Sequence, residues 1–168
     1  VDQSMIRFAR MNLVLHGLPD TQVHRKDAIA IEYGQAEDAQ YSVVLTNPPF
    51  AGRIDQTRIK KDLPVSASKT EILFLGHVLQ LLKDGGRCGI IVPEGLLFGN
   101  TSSHREIRRY LLEKCGLEAV VSMPNGAFMP YSGVKTSILV FTKGDSTKKV
   151  WFYELEQIGY SLDQKHVP

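Results

Sequence analysis

Tyr41-Ser42-Val43-Val44-Leu45-Thr46-Asn47-Pro48-Pro49-Phe50 is the stretch on which the reading of this chain turns. Its first six residues form a compact, β-branched run that suits a buried strand. The run stops at Asn47-Pro48-Pro49, because proline has no N–H for a ladder and its ring pushes the preceding residue out of helical geometry. In open α/β sheets, ligands bind beyond the carboxyl ends of the strands. Asn47 stands at such an end.

Working outward, the spacing of Met5, Ile6, Phe8, Ala9, Met11, Leu13 and Leu15 predicts a helix over residues 2–16, stopped by Gly17 and Pro19. Residues 22–31 read as a short strand leading to a turn around Asp27. A second helix is expected over residues 70–83, capped at its C-terminus by Asp84-Gly85-Gly86 and followed by a buried strand over 87–92. A third helix spans 104–114 and stops at Gly116, and strands recur at 117–122, 135–142 and 148–155. Strands alternating with helices predict an α/β domain built on a mostly parallel sheet with helices on both faces. The last three strands have no helix between them, so antiparallel pairing is expected at the C-terminal edge.

The 168 residues are enough for one domain with a buried core, and 43% hydrophobic with 23% charged residues is ordinary globular composition. No apolar run approaches the roughly 20 residues that span a bilayer, and the start shows no secretion signal, which predicts a cytoplasmic protein without membrane association. Cys88 and Cys115 are too few for a disulfide framework and lie in no metal-binding spacing; they read as reduced, packed thiols. A net charge of +2 does not by itself declare a nucleic-acid binder.

The chemistry open to Asn47-Pro48-Pro49-Phe50 follows from its residue types. An amino group on an aromatic ring is a poor nucleophile because its lone pair is conjugated. Accepting hydrogen bonds from both of its N–H groups favours a pyramidal nitrogen aimed at an electrophile. The Asn47 side-chain oxygen and the Pro48 carbonyl are two such acceptors, and two prolines hold the carbonyl still. Phe50 offers a flat face for a base swung out of a duplex. The plainer account is a proline turn with a packed Phe. The buried strand before the motif and the long polar loop after it favour the chemical reading.

With these residues in view, the chain resembles the modification (methyltransferase) subunits of type I restriction-modification systems. Ala9-Arg10-Met11-Asn12-Leu13-Val14-Leu15-His16-Gly17 looks like the helix after the family's second strand, and Asn47 to Phe50 matches its catalytic tetrapeptide. Ser68 to Phe74, Leu82 to Arg87 and Ile90 to Phe98 resemble successive family blocks. Phe128 and Gly133-Val134-Lys135-Thr136 resemble the block that lines the target-base pocket, and Phe152 to Leu155 with Gly159 to Asp163 resembles the close.

The resemblance implies a Rossmann-like, S-adenosylmethionine-dependent DNA adenine-N6 methyltransferase domain over residues 1–168. It also implies double-stranded DNA as substrate and specificity (S) and restriction (R) subunits as partners. Asp27 falls at the acidic position near the cofactor's adenine. The acidic residue for the ribose falls at or just before the start, which leaves Asp2 as its candidate, and Asn47 faces the cofactor. The family's Gly-rich loop between first strand and helix is absent. Gly85-Gly86 sits between a helix and a strand, the reverse order. The expectation is therefore a partial domain lacking the first strand and cofactor loop, with weak or no cofactor binding by this chain alone.

Other residues carry less. Between residues 51 and 69, Arg53, Arg58, Lys60, Lys61 and Lys69 exceed Asp55 and Asp62 by three charges. Beside the site, this loop reads as a DNA-backbone contact or lid, with a solvated loop as the alternative. Lys135 and Phe128 join Phe50 as target-base or DNA contacts. His16 and His77 are expected to be packed or capping residues, and His104 to lie at the surface. Arg105, Arg108 and Arg109 read as a solvated face. Two other readings stay open: a protein-glutamine or RNA methyltransferase using the same tetrapeptide, and a non-catalytic docking module.

Overall fold

The run Tyr41–Thr46 does form a strand, and the rest of the sheet is laid beside it. None of its residues is buried, where a buried strand was expected, because it stands at the edge of the described sheet. The computed structural model describes residues 3–25, 27–30, 38–50, 59, 63–65, 67–163 and 165. In chain order the elements are α1 (Gln3–Leu15), β1 (Tyr41–Thr46), α2 (Thr70–Leu81), β2 (Leu82–Pro93), α3 (Glu94–Phe98), α4 (Ser102–Lys114), β3 (Cys115–Ser122), β4 (Thr136–Lys143) and β5 (Trp151–Glu154). They make one five-stranded sheet of order β1-β2-β4-β3-β5.

Four of the five strands run the same way. β1 is parallel to β2 and β5 to β3, while β4 is antiparallel to both β2 and β3. An antiparallel strand near the C-terminus is therefore present, but it lies inside the sheet and the edge strand β5 is parallel. Burial accounts for the difference. β4 carries Leu139 and Phe141, both fully buried, whereas all four residues of β5 are exposed. The strand whose aliphatic and aromatic side chains are buried takes the inner place.

Alternation along β2 turns Cys88, Ile90 and Val92 into the core, where they meet Ile72, Leu75 and Leu79 of α2, Leu96 of α3, and Ile107 and Leu111 of α4. Side chains of this kind each contribute on the order of 1.5–3 kcal/mol when fully buried. Helices on both faces were expected. Among the described residues, α2, α3 and α4 share one face, and Val43 and Leu45 on the other remain more than half exposed. α1 has no buried residue, so the apolar periodicity of its sequence is not matched by packing against the described sheet.

Three local expectations need correction. None of the described residues between 22 and 30 lies in a strand; Asp27 opens a turn, with Ala30 N–H donating to its carbonyl at 3.2 Å, and Ala30 bridges to Ile59. α2 ends at Leu81, capped by the extended Leu82, so Gly85-Gly86 is not its cap. Those glycines instead turn the chain inside an irregular start of β2, with Gly85 at φ +77, before Val43 pairs with Arg87. α4 likewise passes straight into β3 at Cys115, with Gly116 inside the strand. The short helix α3, starting at Glu94, was not anticipated at all.

Candidate active site

The carboxyl ends of the parallel strands gather one set of residues. β1 ends at Thr46, whose partner is Ile90, and Asn47, Pro48 and Pro49 continue from it without regular structure. Asn47 is exposed, Pro48 is buried and Phe50 is half-buried. The buried proline anchors the turn, which leaves the asparagine amide at the surface of the strand end. β2 ends at Pro93, and Glu94 follows at the start of α3.

β3 ends at Ser122, and residues 123–135 return the chain to β4. This loop is closed at its base by Met123 N–H donating to the Thr136 carbonyl at 2.9 Å. Within it, the amides of Tyr131 and Ser132 both donate to the Phe128 carbonyl at 2.9 Å, and the Met129–Pro130 peptide is cis. Gly126 has φ +87, and a Cβ there would collide with the Leu162 carbonyl. Only glycine suits that combination of backbone conformation and close approach.

The loop brings Phe128 to the tetrapeptide. The Phe50 and Phe128 rings meet edge to face, centroids 5.9 Å apart at 75°. The two side chains that share this wall lie 78 positions apart in the sequence (128 − 50). Lys135, at the loop's end, does not stand alone: its ammonium lies 3.3 Å from a Glu94 carboxylate oxygen and 4.0 Å from one of Glu154. Its carbonyl accepts from Glu94 N–H at 2.9 Å.

Asp27 is exposed, and its carboxylate accepts from Ile29 N–H at 3.3 Å within its own turn. Asp2, Arg53, Arg58, Lys60 and Lys61 lie outside the described residues. Sequence reasoning passed over Glu94, Glu154 and the 94%-exposed Tyr131. For Glu94 a signal existed, since it follows strand β2 just as Asn47 follows β1.

His104 was expected at the surface and is buried, 1% exposed. Its imidazole makes a 2.6 Å hydrogen bond with the Thr101 hydroxyl, which also caps α4 by accepting from His104 N–H. Its other ring nitrogen sits 3.8 Å from Glu71 on α2. Arg108 donates to the Leu96 carbonyl at 2.8 Å and so joins α4 to α3 instead of facing solvent with Arg105 and Arg109.

A mixed, mostly parallel sheet that ends in Asn-Pro-Pro-Phe beside a second aromatic loop defines a Rossmann-like methyltransferase domain. Comparison with known proteins carries this further. The pattern of the N-6 DNA Methylase family matches residues 1–167, and the chain belongs to that family. It is 41% identical to the type I restriction enzyme EcoEI methylase subunit of Escherichia coli over 85% of its own length, and 34% identical to the StySPI methylase subunit of Salmonella potsdam over 89%. The crystal structure of the type I restriction enzyme EcoKI M protein superimposes with a TM-score of 0.79 at 29% identity, covering 99% of this chain and 36% of that one. The chain spans about 30% of the length of the curated relatives it matches.

Proposed function

We propose that this chain carries the target-base side of a DNA adenine-N6 methyltransferase of a type I restriction-modification system, with Asn47, Pro48, Pro49 and Phe50 as its reacting centre. The observation that carries the reading is the placement of this tetrapeptide at the end of β1 with Phe128 against Phe50. Asn47 Oδ1 and the Pro48 carbonyl accept the two N–H groups of the adenine amino group, drawing its lone pair out of conjugation. Phe50 stacks on the extruded base, and Phe128 closes the wall behind it.

S-adenosylmethionine, the proposed donor, supplies an electrophilic methyl group. The residues present fit only part of it: Asp27 is exposed and able to accept from the adenine amino group, and Asn47 lies at the strand end facing the reaction. No Gly-rich strand-to-helix loop occurs in the sequence. Arg53, Arg58, Lys60 and Lys61 are proposed to neutralise DNA phosphates. A specificity subunit would select the sequence and a restriction subunit would complete the assembly.

The test is methylation of duplex DNA by the full-length protein with its specificity partner, read by mass spectrometry of the nucleosides. N6-methyladenine is expected, and Asn47→Ala should lower kcat on the order of 10²–10³-fold. Methylation left intact by Asn47→Ala, or a product other than N6-methyladenine, would overturn the assignment.

A further inference from the structure

Lys135 sits in the segment expected to touch DNA, yet its surroundings argue for a different task. Two carboxylates, Glu94 at 3.3 Å and Glu154 at 4.0 Å, share its one ammonium. The cluster of three therefore carries net negative charge, so Lys135 offers a phosphate no uncompensated cation. The three residues also come from three strand ends: Glu94 follows β2, Lys135 precedes β4, and Glu154 closes β5. Glu94 N–H donates to the Lys135 carbonyl as well, so the lysine is held by backbone and side chain together.

From this we infer that Lys135 is a positioning residue: with Glu94 and Glu154 it fixes the end of the 123–135 loop, and so holds Phe128 against Phe50. A second brace serves the same loop. Gly126 lies against the Leu162 carbonyl, and Leu155 N–H donates to the Ser122 carbonyl at 2.9 Å, tying the closing segment to the end of β3. The loop is thus gripped near its start by the closing segment and at its end by the ion cluster. Exposed ion pairs stabilise a fold little, so the effect falls on the placement of Phe128 more than on stability. A displacement of about 1 Å in a substrate-positioning group costs up to about a hundredfold in rate.

The inference rests on the proposed methyltransferase reading, and the experiment separates the two. Glu94→Gln, Glu154→Gln, Lys135→Met and Lys135→Arg are made in the full-length enzyme with its specificity partner. Methyl transfer kinetics and the salt dependence of DNA binding are then measured. Positioning predicts that Glu94→Gln and Lys135→Met both lower kcat, by roughly tenfold. It also predicts that the slope of affinity against salt stays at the wild-type value and that Lys135→Arg retains most of the activity.

A phosphate contact predicts the opposite sign for the carboxylate: Glu94→Gln tightens DNA binding, and Lys135→Met reduces the salt slope by about one. Either result overturns the inference. Glu154 is largely exposed, so its replacement tests the idea without threatening the fold. Wild-type turnover in both carboxylate variants, with Asn47→Ala inactive, refutes the positioning role alone. Activity surviving in Asn47→Ala removes the site reading and this inference with it.

Discussion

The edge of one ring, Phe50 or Phe128, points at the face of the other across 5.9 Å, at an interplanar angle of 75°. Edge-to-face pairs of this kind contribute about 0.5–1.5 kcal/mol beyond the area they bury. Stacking of a base on an aromatic side chain contributes about 1–3 kcal/mol. Phe50→Ala should therefore lower kcat/KM for duplex DNA by roughly ten- to a hundredfold, and Phe128→Ala by less. The double variant should lose less than the two single losses combined, because the rings act as a unit. Steady-state methylation assays of the four proteins check this, and strict additivity would count against the shared wall.

The turn at Gly85-Gly86 makes a prediction about stability. Gly85 has φ +77 with open space around it, so Gly85→Ala should cost about 1 kcal/mol through backbone strain alone. At Gly86 a Cβ would lie 2.8 Å from the Lys83 carbonyl and 3.0 Å from that of Tyr41, with backbone on both sides. Gly86→Ala should cost more, about 1–3 kcal/mol, by disturbing the β1–β2 register. Denaturant unfolding of the two variants gives the order directly.

His104 sets a pH dependence. Burial pushes its pKa below the ordinary 6.5, the charges of Lys69 and Arg108 push the same way, and Glu71 opposes them without prevailing. The folded state therefore binds this proton less readily than the unfolded chain. The resulting stability is fully present above about pH 6.5 and is lost as pH falls below it, until the folded group itself protonates. Melting temperatures from about pH 7.5 to about pH 5 should fall more steeply for the native protein than for His104→Gln. Parallel curves would show that the imidazole is not the group responsible.

Burial raises both thiols, Cys88 to about 12 and Cys115 to about 11, with the Cys115 charge adding to the shift at Cys88. The thiolate fraction at pH 8 is then on the order of one in a thousand or less. Ellman's reagent should react with neither cysteine until the protein unfolds. A disulfide between them is also ruled out by topology. Cys88 pairs with Phe141 and Cys115 with Lys143, on opposite sides of β4. Two strand spacings, about 9.5 Å, exceed the reach of a disulfide.

Local signals were the legible ones. The β-branched run of β1 and its proline stop marked a strand and its end, because φ/ψ preference depends on adjacent residues. Its burial was not legible, because that depends on what packs over it. α2 and α4 were readable from their apolar spacing, to within two residues at either end. Gly116 misled because a glycine after a helix usually caps it, whereas here the chain extends directly into β3. His104 misled because polarity says where a side chain is cheap to expose, not whether Thr101 and Glu71 wait to receive it.

By itself the sequence determined β1 with its end before Asn47, the helices α2 and α4, and the residue types of the proposed reacting centre. These follow from backbone preference, periodicity and the chemistry of single side chains. Only the tertiary structure decided that β4 lies inside the sheet, that Phe128 meets Phe50, and that Lys135 is held between Glu94 and Glu154. Each of these joins residues far apart in the chain. Such pairings are chosen by how buried surface and charge are shared across the whole fold, which no local stretch encodes.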